Sequence, residues 1–242
     1  MSVLARYRKY LIFLLSVAAL LAAFIYYGNS ILIQLENDNP SVSVGTYSDG
    51  RLMNGKRLPT RGANYRAYSY LGTALGRNTV NDKVRDAIVE AYGKLAVEYP
   101  AKTFVYGETG WPHGGRFRPH KTHRNGLSVD FMVPIIDANG KSVPLPASVL
   151  NKFGYGIEFD KAGKWRGYRI DFDAMSAHID DLDFAARRHG LRIDRVIFDN
   201  GLQQMLFKSA HGKVLAGRLR FSKKPSWVRH DEHYHVDFKN AD

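Results

Sequence analysis

Two short stretches of this chain concentrate side chains able to do chemistry: HRNGLSVD at residues 123–130 and HDEHYHV at residues 230–236. Of the nine histidines, six fall into two groups, His113, His120 and His123, then His230, His233 and His235. Imidazole and carboxylate are the nitrogen and oxygen donors that zinc accepts, about four around a tetrahedral ion, with one place left for water when the site is catalytic. There is no cysteine, so thiolate ligation is excluded and any metal must rest on such donors. An H-x-H pair also occurs on solvated strands, and an H-x6-D spacing is weaker still. Their occurrence together points to a metal, because each lies on the polar side of an alternating segment. Ser128, Asp130 and Met132 oppose Val129 and Phe131, while His233, His235 and Asp237 oppose Tyr234, Val236 and Phe238. The turn-forming pair Asn125-Gly126 can fold His123 toward Asp130. The chemistry open to such a site is metal-assisted hydrolysis, with a polarised water and substrate carbonyl and a neighbouring base.

Elements that can position these residues follow from periodicity. Apolar residues recur at helical steps over 79–99 (Val84, Ile88, Leu95), and Pro100 ends that pattern. A second helix is expected over 173–189, with Ile179, Leu182 and Ala186 inward and Gly190 after it, and a third, shorter one over 201–210. Short strands are expected at 104–106, 127–133, 195–198 and 233–238. Residues 45–62 carry Asp49-Gly50, Asn54-Gly55 and Pro59, which predicts irregular chain with tight turns. Residues 107–126 hold five glycines, two prolines and three histidines without a period, as a functional loop would. Helices and strands without regular βαβ spacing predict an α+β fold: a largely antiparallel central sheet with flanking helices and long loops.

The amino end sets the compartment. Arg6, Arg8 and Lys9 precede residues 10–35, which contain no charge; a helix needs roughly 20 apolar residues to cross the hydrocarbon layer. Basic residues before the run and none directly after it favour an inside amino terminus. Ala22 and Ala23 allow a cleaved signal peptide as the rival. The apolar run continues through Tyr27, which favours a retained anchor. The expected organisation is a cytoplasmic segment at 1–9, a transmembrane anchor at 10–33, a tether at 34–43 and a catalytic domain at 44–242. The net charge of +12 suits polyanions of any kind. No nucleic-acid motif accompanies it, so the expected partners are the cytoplasmic membrane and an acidic wall polymer rather than nucleic acid.

At the two histidine stretches the sequence resembles the penicillin-insensitive murein endopeptidases, within the wider group of zinc peptidases that includes lysostaphin-type enzymes and D-alanyl-D-alanine peptidases. The glycine-rich GETGWPHGGRFRPH at 107–120 is similar to the family's approach to its first zinc histidine, and weaker similarity runs over roughly 43–238. The resemblance implies one catalytic zinc held by His123, Asp130 and His235. It implies active-site roles for His233 and His230, a place for His120 on the approach loop, and either His233 or Glu232 as general base. It further implies hydrolysis of peptide cross-bridges in peptidoglycan, especially between D-alanine and meso-diaminopimelate, by a domain in the periplasm. Arg116, Arg118 and Lys121 are candidate contacts for substrate carboxylates, and Trp111 and Trp227 for the cleft wall. Glu108 and Gly110 depart from the aspartate and serine expected in the approach segment, and Asp237 from a basic residue. A peptidoglycan carboxypeptidase or amidase, a noncatalytic metal-containing wall-binding domain, and a metal-dependent phosphodiesterase are the alternatives.

Overall fold

The structure, a computed structural model, describes residues 3–224 and 228–241. Trp227 lies outside them. An unbroken run without glycine until residue 28 forms the first helix, α1 (Val3–Gln34). Within it Tyr7–Gln34 is long and apolar enough to cross a membrane, a property a signal sequence shares, and its most apolar stretch is almost wholly uncovered by the rest of the chain. The next residues do not hang free: Arg57 N donates to Glu36 Oε1 at 2.6 Å, and Ser41 and Asp82 exchange two hydrogen bonds of 3.0 Å.

Where irregular chain is expected at 45–62, a small hairpin forms from β1 (Val42–Gly45) and β2 (Gly50–Met53), closed by Gly45 in the left-handed region at φ 75°. Next come β3 (Lys56–Arg57), β4 (Tyr65–Ala67), α2 (Tyr70–Ala74) and β5 (Thr79–Val80), with β5 paired to β3. That pairing delays the helix expected from residue 79, and α3 (Asp82–Glu98) starts after Asn81, whose side chain caps Lys83 N.

The central sheet receives β6 (Phe104–Tyr106) and β7 (Ser128–Met132). Strands β8 (Ile135–Ile136), β9 (Ser142–Val143), β10 (Lys164–Trp165) and β11 (Tyr168–Ile170) make a separate four-stranded sheet, interrupted by a 3-10 turn at Val149–Gly154. The chain closes with α4 (Phe172–Arg188), β12 (Leu191–Ile197), α5 (Gln203–Phe207), α6 (Gly212–Arg218) and β13 (His233–Asn240). The third helix expected over 201–210 is thus a single turn and a half, followed by a second short helix.

The five-stranded sheet runs in the order β12-β13-β7-β6-β4, antiparallel except for the β4-β6 pair. This is the α+β architecture the sequence predicts. One face of β7 and β13 presents Val129, Phe131, Tyr234, Val236 and Phe238, all buried. Helices α3 and α4 cover it: Tyr92 packs on Phe131, and His178 lies against Phe131 and Tyr234. Burying five large side chains contributes on the order of 10 kcal/mol before entropy is counted. That packing locks the register, and a one-residue slip would exchange the two faces. The opposite face carries the histidines.

Candidate metal centre

Register creates the site. In the β13-β7 ladder His235 stands opposite Asp130, His233 opposite Met132 and Asp237 opposite Ser128, so residues 105 apart in the chain share one face. The loop ahead of β7 brings the third group. His123 adopts the left-handed region at φ 66°, a conformation that costs a non-glycine residue free energy and places its ring over Asp130. Gly110 supports it: a Cβ there would lie 2.8 Å from the His123 carbonyl oxygen, so the expected serine would not fit without a shift.

The Thr109 carbonyl accepts a hydrogen bond from His123 Nδ1 at 2.8 Å. That fixes the tautomer and leaves the lone pair on Nε2, which is buried and, among the described residues, without a hydrogen-bond partner. It faces Asp130 Oδ1 at 3.2 Å. The same oxygen lies 2.9 Å from His235 Nδ1, whose Nε2 meets Asp237 Oδ1 at 2.9 Å. A buried lone pair aimed at a carboxylate is repulsive unless a cation stands between them. Burial lowers the His123 pKa, whereas the carboxylates of Asp237 and Asp130 outweigh burial at His235 and raise it to about 10. Burial pushes the Asp130 carboxyl up, but His123 and His233 hold it well below the usual carboxylate range. A metal replaces such a proton, and a carboxylate behind the ligating imidazole is a common support.

His120, His123 and Asp130 each bring one donor atom to within 4.8 Å of the others and could hold a metal ion. His120 is the more exposed of the three. Its Nε2 meets Glu108 Oε2 at 2.6 Å, and its Nδ1 lies 3.7 Å from Asp130 Oδ2. Glu108 also accepts from Tyr68 OH at 2.8 Å and pairs with Arg77; against burial, His120 and Arg77 hold its pKa down at about 2. Tyr155 OH donates to Asp130 Oδ2 at 3.0 Å and accepts from Glu108 N at 2.8 Å. A Cβ at Gly107 would lie 2.6 Å from that hydroxyl, so the glycine makes room for it.

Glu232, His233 and His230 complete the cluster. His233 Nδ1 lies 2.8 Å from Glu232 Oε1, and its Nε2 lies 3.9 Å from Asp130 Oδ2. Burial lowers the His233 pKa, but the Asp130 and Glu232 carboxylates more than offset it; burial raises that of Glu232. His230 donates from Nδ1 to Val228 O at 3.0 Å, and burial pushes its pKa down to about 3.

These groups open on a cleft of about 880 Å³ lined by His120, Asp130, His230, Glu232, His233 and His235, among others. Lys121 lines it, whereas Arg116 and Arg118 are exposed and are not among its lining residues. Arg77, Lys152, Arg195 and Arg229 also line it. Trp111 packs on Phe117 and under the Arg77 guanidinium instead of lining the cleft. Glu108 was visible in the sequence only as a departure, and Tyr155 and Arg77 carried no signal, because loops and a short turn bring them in.

Fold and site define an α+β protein with a buried imidazole and carboxylate group, suited to a metal ion, at the floor of an open cleft. The sequence profile described as penicillin-insensitive murein endopeptidase matches residues 43–241, and the chain belongs to that family of peptidoglycan-cleaving peptidases. No curated protein matches the chain.

Proposed function

We propose that the protein is a zinc-dependent endopeptidase, held at the outer face of the cytoplasmic membrane by α1, that hydrolyses peptidoglycan cross-bridges at the D-alanyl-meso-diaminopimelate bond. The observation that carries this reading is the unpartnered, buried Nε2 of His123 facing the same Asp130 oxygen that His235 Nδ1 reaches. His123 Nε2, the Asp130 carboxylate and His235 Nδ1 would hold the zinc, with the Thr109 carbonyl and Asp237 orienting the two rings. Zinc, when bound, supplies Lewis acidity that polarises a carbonyl and makes a water acidic near neutral pH.

The chain's own groups do the rest. His233 Nε2 accepts the proton of the attacking water, and Glu232 holds the other ring nitrogen so that this lone pair faces the cleft. His230, kept neutral by burial and pinned at Nδ1, presents Nε2 as an acceptor for a substrate N–H. His120, braced by Glu108, borders the same space. Lys121 and Lys152 on the cleft wall suit the carboxylates of stem peptides. The domain proper is taken as 44–242, the anchor as 10–33 and the connecting segment as 34–43.

Digestion of a defined cross-linked muropeptide, read by product masses, tests the reading. Two halves separated at the cross-bridge are expected. Release of a terminal D-alanine would make the enzyme a carboxypeptidase, and separation of stem from glycan would make it an amidase.

A further inference from the structure

The outer end of α1 serves two roles at once. Along one stripe Ile25, Gly28, Asn29, Leu32 and Ile33 are wholly or partly covered by the domain, whereas Tyr27, Ile31 and Leu35 on another stripe are 59%, 55% and 74% exposed. Asn29 is 1% exposed, and its amide is fully used. Nδ2 donates to Leu58 O and Thr60 Oγ1, and Oδ1 accepts from Arg57 and Asn78. Tyr26 stacks on Tyr70 of α2 with ring centroids 5.3 Å apart, and Arg61 donates to the Tyr26 hydroxyl.

Depth then follows from counting. Lys9 is the last charge before the apolar run; a hydrocarbon crossing of roughly 20 residues from there ends near Asn29. The docked turns therefore overlap the span, and whatever packs against Tyr26 and Asn29 sits at the outer boundary of the bilayer. What packs there is α2, whose Leu71 and the capping Leu75 just after it, four residues apart, are 42% and 55% exposed next to the Tyr70 that stacks on Tyr26. Aromatic rings, apolar side chains and an arginine at one level are the composition of a membrane interface.

We infer that α2 is a membrane foot: Leu71 and Leu75 insert among the lipid headgroups and upper acyl chains of the bilayer that α1 spans, and seat the peptidase domain directly on it. The inference rests on reading α1 as a membrane anchor.

The chain has no cysteine, so single labels can be placed without background. Leu15→Cys in the span, Leu71→Cys and Leu75→Cys on the foot, and Val214→Cys, exposed on α6 against α4 and α5, would each carry an environment-sensitive fluorophore. The full chain is reconstituted in phosphatidylethanolamine and phosphatidylglycerol vesicles with and without lipids spin-labelled near the headgroup or deep in the chain. The expected result is a blue-shifted emission at positions 71 and 75, quenched by the shallow label more than by the deep one. Position 15 should be quenched by the deep label and position 214 by neither. Positions 71 and 75 behaving like 214, with 15 still quenched, overturn the foot while the anchor stands. Loss of quenching at 15 overturns the anchor reading itself, and the foot with it.

Discussion

The Glu232 carboxylate meets His233 Nδ1 at 2.8 Å, one residue before the ladder of β13 becomes regular. A glutamate on the opposite strand face could not do this; the turn ahead of β13 lets neighbouring residues share one cleft. The contact turns His233 Nε2 toward Asp130 and, in the proposed mechanism, makes Glu232 the group that orients the ring. His233→Ala is expected to retain metal and lose at least about 100-fold in turnover, the range for removing acid-base assistance. Glu232→Gln should retain metal and lose less. Steady-state cleavage of a muropeptide with metal content measured for each variant compares them; a collapse in the Glu232 variant beside a near-normal His233 variant would make Glu232 the base.

Metal content also separates the donors. Alanine at His123, Asp130 or His235 should lower zinc occupancy and nearly abolish hydrolysis, whereas His120→Ala should keep zinc, since Glu108 already engages one of its nitrogens. Chelation should remove activity and added zinc restore it. Elemental analysis decides the set: full occupancy at His235→Ala with loss at His120→Ala would give the ligand role to the approach-loop histidine.

Tyr155 is expected to matter through Asp130. Tyr155→Phe removes the hydroxyl that donates to Asp130 Oδ2 and should cost about 10- to 100-fold in metal affinity or activity, as loss of a support behind a ligand does. Competition with a fluorescent chelator measures the affinity. Unchanged affinity and turnover would reduce the contact to packing.

Stability should fall in acid for a reason remote from the site. His178 is fully buried, shares a 2.6 Å hydrogen bond with Tyr234 OH, and has its pKa pushed down to about 3 by burial. The unfolded chain takes up this proton near 6.5 and the folded one does not. Stability is therefore complete above that pH and declines as pH falls toward about 3, by up to about 1.4 kcal/mol per unit. Replacing both partners, His178→Phe with Tyr234→Phe, leaves no buried polar group unpaired. In urea titrations of the detergent-solubilised chain between about pH 4 and pH 6, the double variant should lose about one proton's worth of slope. An unchanged slope would place the acid sensitivity elsewhere.

Strand alternation made much of the site legible: the faces of residues 128–132 and 233–238 depend only on a two-residue period, and the structure keeps them. The opposition of His235 to Asp130 was not legible, since register is set by Phe131, Tyr234 and Val236 packing under α3 and α4. Glu108, Arg77 and Tyr155 come from segments without period, converging through the Glu108 carboxylate and the Tyr155 hydroxyl. The length and charge pattern of the apolar helix were plain in the sequence. Its grip on the domain through Asn29 was not, because an isolated amide in an apolar run gives no hint of four distant partners.

Because Asn29 is gripped through every polar valence it has, the cleft has no swivel above α1. A domain on a slack leader would sweep a hemisphere. Were the span retained in a bilayer, as proposed, this one would keep a single height and tilt and would meet new strands only as the whole molecule drifted sideways. On the proposed reading its search for cross-bridges would be two-dimensional, and wall lying beyond that fixed height would be out of reach however long the molecule persisted.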